Sequence, residues 1–395
     1  MNINNSEKLN KLGGYAFDEI DKIVNKLKEE GVEPIDFGVG DPSAETPEFV
    51  RNAVKEALDL HSKTGYPSYI GQLEYRQAVS KWMEKRFSVP LNPETEICST
   101  IGSKEAIFNF PQAFINKDDI VILPNPGYPP MKTGTIFALG TPYFVSLKEK
   151  DNYLLDYKSI PEEIAKKAKI IWINYPNSPT GVCASKEYYQ GLINWAQKYN
   201  IIIAADEGCY IDIYFEKKPI SILEVGKEGI ITFYSLSKRN NMTGYRVGWV
   251  AGDPEIIEKF KKLKTNIDSG TPDFIQVGAI AALKDEKHAE QMRNEYKEKK
   301  DILLTAFQEA SWPKSTSEAT FYLWQKAPEG MNAVEFAKEL LSKEMAIVVT
   351  PGSWISVVDK DGINPGNNHV RFALVPPLEQ IKKAASRIKK FYSKK

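Results

Sequence analysis

The sequence predicts an α/β protein: a mostly parallel sheet with helices on both faces, plus a smaller α+β domain. Three observations carry this expectation. The chain has 395 residues, more than one small core accommodates, so two domains are expected. Its middle alternates short apolar runs with longer amphipathic stretches, the pattern of parallel strands joined by helical crossovers. Its last third changes character, with strand-like runs gathered behind one long charged helix.

In chain order, IVILPNPGY, IIWINYPNSP, IIIAADEGCY and ITFYSLSK each begin as a short buried strand and end in a polar or Gly/Pro turn. KEYYQGLINWAQKYN and PEIIEKFKKLKTNI lie between and after them with helical spacing. In such sheets ligands collect in the crevice beyond the carboxyl ends of the strands. The unusual residues fall there: Tyr128, Asn174, Asp206 and Lys238. Residues from about 285 to 310 predict a long charged helix, followed by strand-like TFYLWQKA, a helix around NAVEFAKELLSKE, then AIVVTPGS and HVRFALV. The expected division is a large domain over 46–284 and a small domain built from 1–45 and 285–395.

Composition narrows the function. The 52 basic and 52 acidic residues balance, which removes the electrostatic footprint of a nucleic-acid binder. No run approaches the roughly 20 apolar residues of a membrane span, and the opening MNINNSEKLNKLGG lacks the apolar core of a signal peptide. A cytoplasmic protein with no membrane partner is therefore expected. Cys98, Cys183 and Cys209 show neither a disulfide framework nor metal spacing, and the three histidines are His61, His288 and His369. No metal is expected.

Three segments carry chemistry. In SLSKRNNMTGYRVGWVAGD, Lys238 lies close to Ser235, Ser237, Thr243 and Arg246. Hydroxyls with a guanidinium suit a phosphate, and a lysine beside other cations becomes a usable amine nucleophile. Alone, the cluster is equally compatible with a basic surface turn. Asp206 follows the apolar run IIIAA, and a carboxylate at the inner end of a buried strand needs a cationic partner unless it caps the next element. In TIGSKEAIFNF, Gly102, Ser103 and Lys104 open an apolar helix whose free amides make an anion cradle.

Together these segments resemble the class I/II aminotransferases of the fold-type-I pyridoxal-phosphate enzymes, nearly end to end. DFGVGDP, YPSYIG, IGSKEA, PNPGYP, NYPNSPTG, DEG, SLSK and VRFAL follow in family order. The resemblance implies an aspartate-aminotransferase-like large domain, pyridoxal 5'-phosphate as cofactor, and small amino acids and 2-oxo acids as substrates. It implies that Lys238 carries the cofactor and shuttles a proton, that Asp206 pairs with the pyridinium nitrogen, and that Tyr128 stacks on the ring. Ser103, Lys104, Ser235, Ser237 and Arg246 would hold the phosphate, and Arg371 would clamp the substrate α-carboxylate with Gly40 closing over it. Tyr66 would reach the neighbouring site of a homodimer.

Two departures from the family pattern stand out. Ser178 occupies the place before Pro179 where the family has asparagine, leaving Asn177 as a possible substitute. Cys209 occupies the place of a tyrosine, with Tyr210 one residue later as if a residue were inserted in DEGCY. Both changes touch the same phenolic oxygen of the cofactor, so they are expected to be linked and to shift the pKa of the lysine–cofactor linkage.

LKTNIDSG and GGYAFDEIDKIVNKLKEEGVEPIDFGVGDP are most similar to LL-diaminopimelate aminotransferases and close relatives. Glutamate and 2-oxoglutarate are the expected exchange pair by this analogy. Aspartate, alanine, aromatic and N-succinyl-diaminopimelate aminotransferases are near neighbours. Tyr15, Phe17 and Asn266 are candidate substrate-lining residues. A fold-type-I lyase, decarboxylase or racemase is the rival chemistry, and Arg371 disfavours a decarboxylase because it would hold the carboxylate near the ring plane. A catalytically silent domain of a transcription factor is the rival without chemistry, but the segment before residue 36 is too short and too acidic to bind DNA.

Overall fold

The computed structural model describes residues 3–12, 18–42, 44–63, 65–315 and 317–393, with the backbone alone for 18–21. Seven strands form the central sheet: β1 (Ile97–Thr100), β2 (Ile120–Asn125), β3 (Thr141–Ser146), β4 (Ala168–Ile173), β5 (Ile202–Gly208), β6 (Ile230–Ser235) and β7 (Gly248–Gly252). Their spatial order is β1-β7-β6-β5-β4-β2-β3. β7 alone runs opposite to the other six strands of this sheet.

The continuous apolar runs have a simple cause: the sheet is buried on both faces, so both sets of alternating side chains must be apolar. Ile120, Ile122, Ile171, Ile173 and Ile203 point into one core, while Val121, Leu123, Ile170, Trp172 and Phe233 point into the other. Helices Lys186–Tyr199 and Pro254–Lys264 cover these faces where the sequence predicts helices. The second begins sharply because Asp253 accepts from the backbone N–H groups of Glu255 and Ile256, with Pro254 at the first helical position.

A separate core gathers Ile35 and Phe37 with the last third of the chain. Its long helix Lys287–Glu309 turns Met292, Tyr296, Leu303 and Phe307 inward at helical spacing. That helix packs on Leu378–Tyr392. Strands β8 (Tyr322–Lys326), β9 (Thr350–Pro351) and β10 (His369–Ala373) make an antiparallel sheet in the order β9-β10-β8. Ile35–Asp36 pairs in parallel with Ile347–Val348, which ties the N-terminal segment to this unit. The AIVVTPGS run is therefore two short strands in two different sheets. Among the described residues, no helix is long and apolar enough to cross a membrane.

The strand that carries the start of DEGCY has a β-bulge. Asp206 pairs with Phe233 and Gly208 with Tyr234, so Glu207 has no opposite number. The bulge is anchored: the Glu207 carboxylate accepts from Ser221 Oγ, Ile222 N and Tyr234 Oη, each at 2.7 Å. Gly208 must be glycine, because a Cβ there would fall 2.1 Å from Tyr234 Cα.

Candidate active site

The carboxyl-terminal ends of β4, β5 and β6 and the turn after β2 open into one cavity of about 390 Å³. They contribute Asn174, Asp206, Ser235 and Tyr128 to its wall. The smaller unit and the N-terminal segment contribute Gly40, Asp41, Tyr322, Ile355 and Arg371. Of the residues singled out in the sequence, Ser103, Lys104, Tyr128, Ser178, Asp206, Tyr210, Ser235, Ser237, Lys238, Arg246, Gly40 and Arg371 all line this cavity.

One end is an anion cradle. Ser237 N–H donates to Ser235 Oγ at 3.1 Å, and the two hydroxyls are 2.8 Å apart. Arg246 donates from Nη1 to Thr243 O at 2.8 Å and from Nη2 to Ile101 O at 3.4 Å, which fixes its guanidinium against the turn at Ile101 and Gly102. Gly102 lies under it at φ +72°, and a Cβ there would be 2.5 Å from Arg246 Nη2. Gly102→Ala should therefore combine backbone strain with displacement of the arginine. We expect about a tenfold loss of affinity for pyridoxal phosphate in a fluorescence titration. An unchanged affinity would show that Arg246 does not depend on this contact.

Asp206 is 3% exposed, and its Oδ1 has no hydrogen-bond partner. Burial, reinforced by neighbouring Glu207, pushes its carboxyl up to about 7. Glu207 is pushed to about 7 as well, chiefly by burial, but it has three donors. Asp206 is thus a buried carboxylate waiting for a cation inside the cavity. Asn174 holds its backbone, donating from Nδ2 to Asp206 O at 2.6 Å, and accepts from Ser178 N–H at 2.8 Å.

Two lysines line the cavity. Lys104 is exposed, whereas Lys238 is half-buried and donates from Nζ to Gly40 O at 2.5 Å. Desolvation lowers the pKa of Lys238, and the Arg246 and Arg371 charges add to it, while Cys209 and Asp41 oppose it. The direction favours a neutral amine, as a nucleophile or base requires. Arg371 donates from Nη2 to Gly38 O at 2.9 Å, and its buried Nε has no partner. Part of its donor fork is fixed, and the rest is unused, as a carboxylate site needs.

Ser178, Cys209 and Tyr210, which carry both departures, line this cavity. Cys209 Sγ is 3.3 Å from Ser103 Oγ, and Tyr210 Oη donates to Tyr322 Oη at 3.3 Å. The remaining candidate residues from the sequence do not line this cavity or lie outside the described residues. Asn177 is not in its wall: its amide donates to Asn174 O and accepts from Thr180, so it closes its own turn. Asn266 is exposed and donates to Lys262 O. Tyr66 is 85% exposed and does not line its own chain's cavity. Tyr15 and Phe17 lie outside the described residues. Sequence reading missed Asp41 and Tyr322; the first sits in a quoted motif, and the second is hidden in an apolar run.

These walls fit pyridoxal phosphate: a cradle for its phosphate, an orphaned buried carboxylate for its ring nitrogen, an aromatic residue for its face and a depressed lysine. Comparison with known proteins agrees. Residues 32–388 match the model of the family described as aminotransferase class I and II. The chain is 45% identical to the LL-diaminopimelate aminotransferase of Aquifex aeolicus, over 97% of this chain and 98% of that one. It is 42% identical to the LL-diaminopimelate aminotransferase of Halothermothrix orenii, over 98% of each chain. A solved aminotransferase from Neisseria meningitidis superposes with a TM-score of 0.91 at 32% identity, covering 98% of this chain and 99% of that one.

Proposed function

This chain belongs to the class I and II aminotransferases, enzymes that work with pyridoxal phosphate, and we propose that its amino donor is LL-diaminopimelate, with glutamate and 2-oxoglutarate as the exchange pair. The observation that carries the chemistry is the unpartnered Asp206 Oδ1 sharing one cavity with Lys238. Full-length similarity to two LL-diaminopimelate aminotransferases supports the substrate.

When bound, pyridoxal phosphate supplies the electron sink for the bond broken at the substrate carbon. The protein supplies the rest. Ser103, Lys104, Ser235, Ser237 and Arg246, with the Gly102 turn, hold the phosphate. Asp206 keeps the ring nitrogen cationic, which also satisfies a carboxylate that burial otherwise penalises. Tyr128 would cover a ring face, and Ser178 and Tyr210, which line the same cavity, would serve the phenolic oxygen. Arg371 grips the α-carboxylate, Gly40 closes over it, and Lys238 carries the proton to and from the substrate Cα. We read residues 46–284 as the cofactor-binding domain, with 1–45 and 285–395 as the small domain; the separate core holding Ile35 and Phe37 supports this. We also infer a cytoplasmic homodimer. The three free thiols suit a reducing compartment, and Tyr66 projects outward as a residue serving a second copy would.

The test is a half-reaction screen of the cofactor-loaded enzyme against single amino acids, followed by visible absorbance. LL-diaminopimelate and glutamate should convert the cofactor rapidly, and aspartate and aromatic amino acids slowly. Rapid conversion by aspartate or aromatics alone would overturn the substrate while leaving the reaction class intact.

A further inference from the structure

We propose that Tyr322 is the positioning residue of the carboxylate clamp, its ring holding the Arg371 guanidinium in place. This inference rests on the aminotransferase reading of the cavity and names a part of the machinery that the reading leaves unassigned.

The strand register creates the contact. In the antiparallel pair β8/β10, Tyr322 is opposite Ala373 and Trp324 is opposite Arg371. Tyr322 and Arg371 are thus diagonal neighbours on one face, a separation that long side chains bridge. The guanidinium carbon of Arg371 sits 4.5 Å from the centre of the Tyr322 ring, within the range of a cation–π contact. Nη2 is tied to Gly38 O at 2.9 Å and lies 3.4 Å from Thr350 Oγ1. The ring therefore covers one face of the plane while Gly38 and Thr350 restrain an edge.

The hydroxyl end reaches the other side of the cavity. Tyr210 Oη donates to Tyr322 Oη at 3.3 Å, and the two rings meet edge to face at 5.6 Å. A Cβ on Gly40 would fall 1.9 Å from Tyr322 Oη, so the hydroxyl abuts the Gly40 backbone with no room for a side chain. The carbonyl of that same glycine accepts from Lys238 Nζ at 2.5 Å. A single side chain, 4% exposed, thereby contacts the arginine expected to hold substrate and the backbone that holds the reactive lysine.

A tyrosine that merely filled the core would affect melting and leave ligand affinity unmoved. Positioning predicts a different outcome, read on the cofactor-loaded enzyme with two variants. The measurements are KM and kcat for the fastest amino donor, and the calorimetric Kd of pimelate, a dicarboxylate that has no amino group to react. Tyr322→Leu removes the ring and should raise KM and pimelate Kd together by about tenfold, with kcat changed less than about threefold. Tyr322→Phe keeps the ring and should return both to within about threefold of wild type. Tyr322→Met replaces the leucine variant if that does not fold. A ring-less variant that binds pimelate as wild type does, or a phenylalanine variant as weak as the ring-less one, overturns the proposal. Failure of wild type to react with any amino acid would instead overturn the aminotransferase reading, and pimelate binding would still report on the clamp.

Discussion

Lys238→Ala is expected to lower turnover by roughly four to six orders of magnitude while leaving pyridoxal phosphate bound. The two halves of this expectation come from different parts of the cavity. The phosphate is expected to be held by Ser103, Ser235, Ser237 and Arg246, whose mutual contacts do not involve the lysine. Of the two lysines that line the cavity, one suits proton movement at the substrate carbon. Lys238 is desolvated and shifted toward the neutral amine, whereas Lys104 is exposed. Substituting Arg should not rescue, because a guanidinium stays charged at any working pH. Steady-state rates with equilibrium dialysis of the cofactor check both halves. Appreciable turnover by the alanine variant would move the base elsewhere.

Asp206→Asn should give the second-largest effect, a loss of about a thousandfold or more in turnover, with an opposite effect on the cofactor-free protein. Burial raises the folded-state pKa of Asp206 to about 7 from an ordinary value of 3.8. A raised carboxyl pKa means that ionisation penalises the folded state. The penalty is absent below the ordinary value, grows as pH rises through it, and is complete above about 7. Asparagine cannot ionise, so the cofactor-free variant should melt higher than wild type at about pH 8, and the gap should close toward about pH 4. With cofactor bound the order should reverse, because the ring cation compensates the carboxylate and not the amide. Melting curves with and without pyridoxal phosphate decide this. A variant that loses stability at every pH would mean that Asp206 already has a partner in the cofactor-free protein.

The parts of the fold legible in the sequence are those fixed by burial on both sides. IVILPN, IIWI and ITFYS read as strands because a doubly covered sheet requires continuous apolar runs. The position of β7 is not legible: its antiparallel insertion between β1 and β6 depends on pairing partners far apart in sequence. The same limit hid the split of AIVVTPGS, whose two ends pair with residues near 35 and near 371. In the site, polar residues at or near strand ends announced themselves, as Lys238, Asp206 and Arg246 did. Tyr322 did not, because TFYLW reads as core and its role depends on a diagonal contact with Arg371 across a strand pair. Asn177 looked available for the place of the missing asparagine. In the structure its amide holds the turn that Ser178 belongs to, and Asn174 is the neighbour that reaches the cavity.

Every role assigned in the cavity depends on Lys238 being the residue to which the cofactor is tied. Borohydride reduction of the loaded enzyme, followed by peptide mapping, tests it most directly. A pyridoxyl phosphate mass is expected on the peptide that carries Lys238 and on no other. Label on the peptide carrying Lys104, or no covalent label at all, would contradict it.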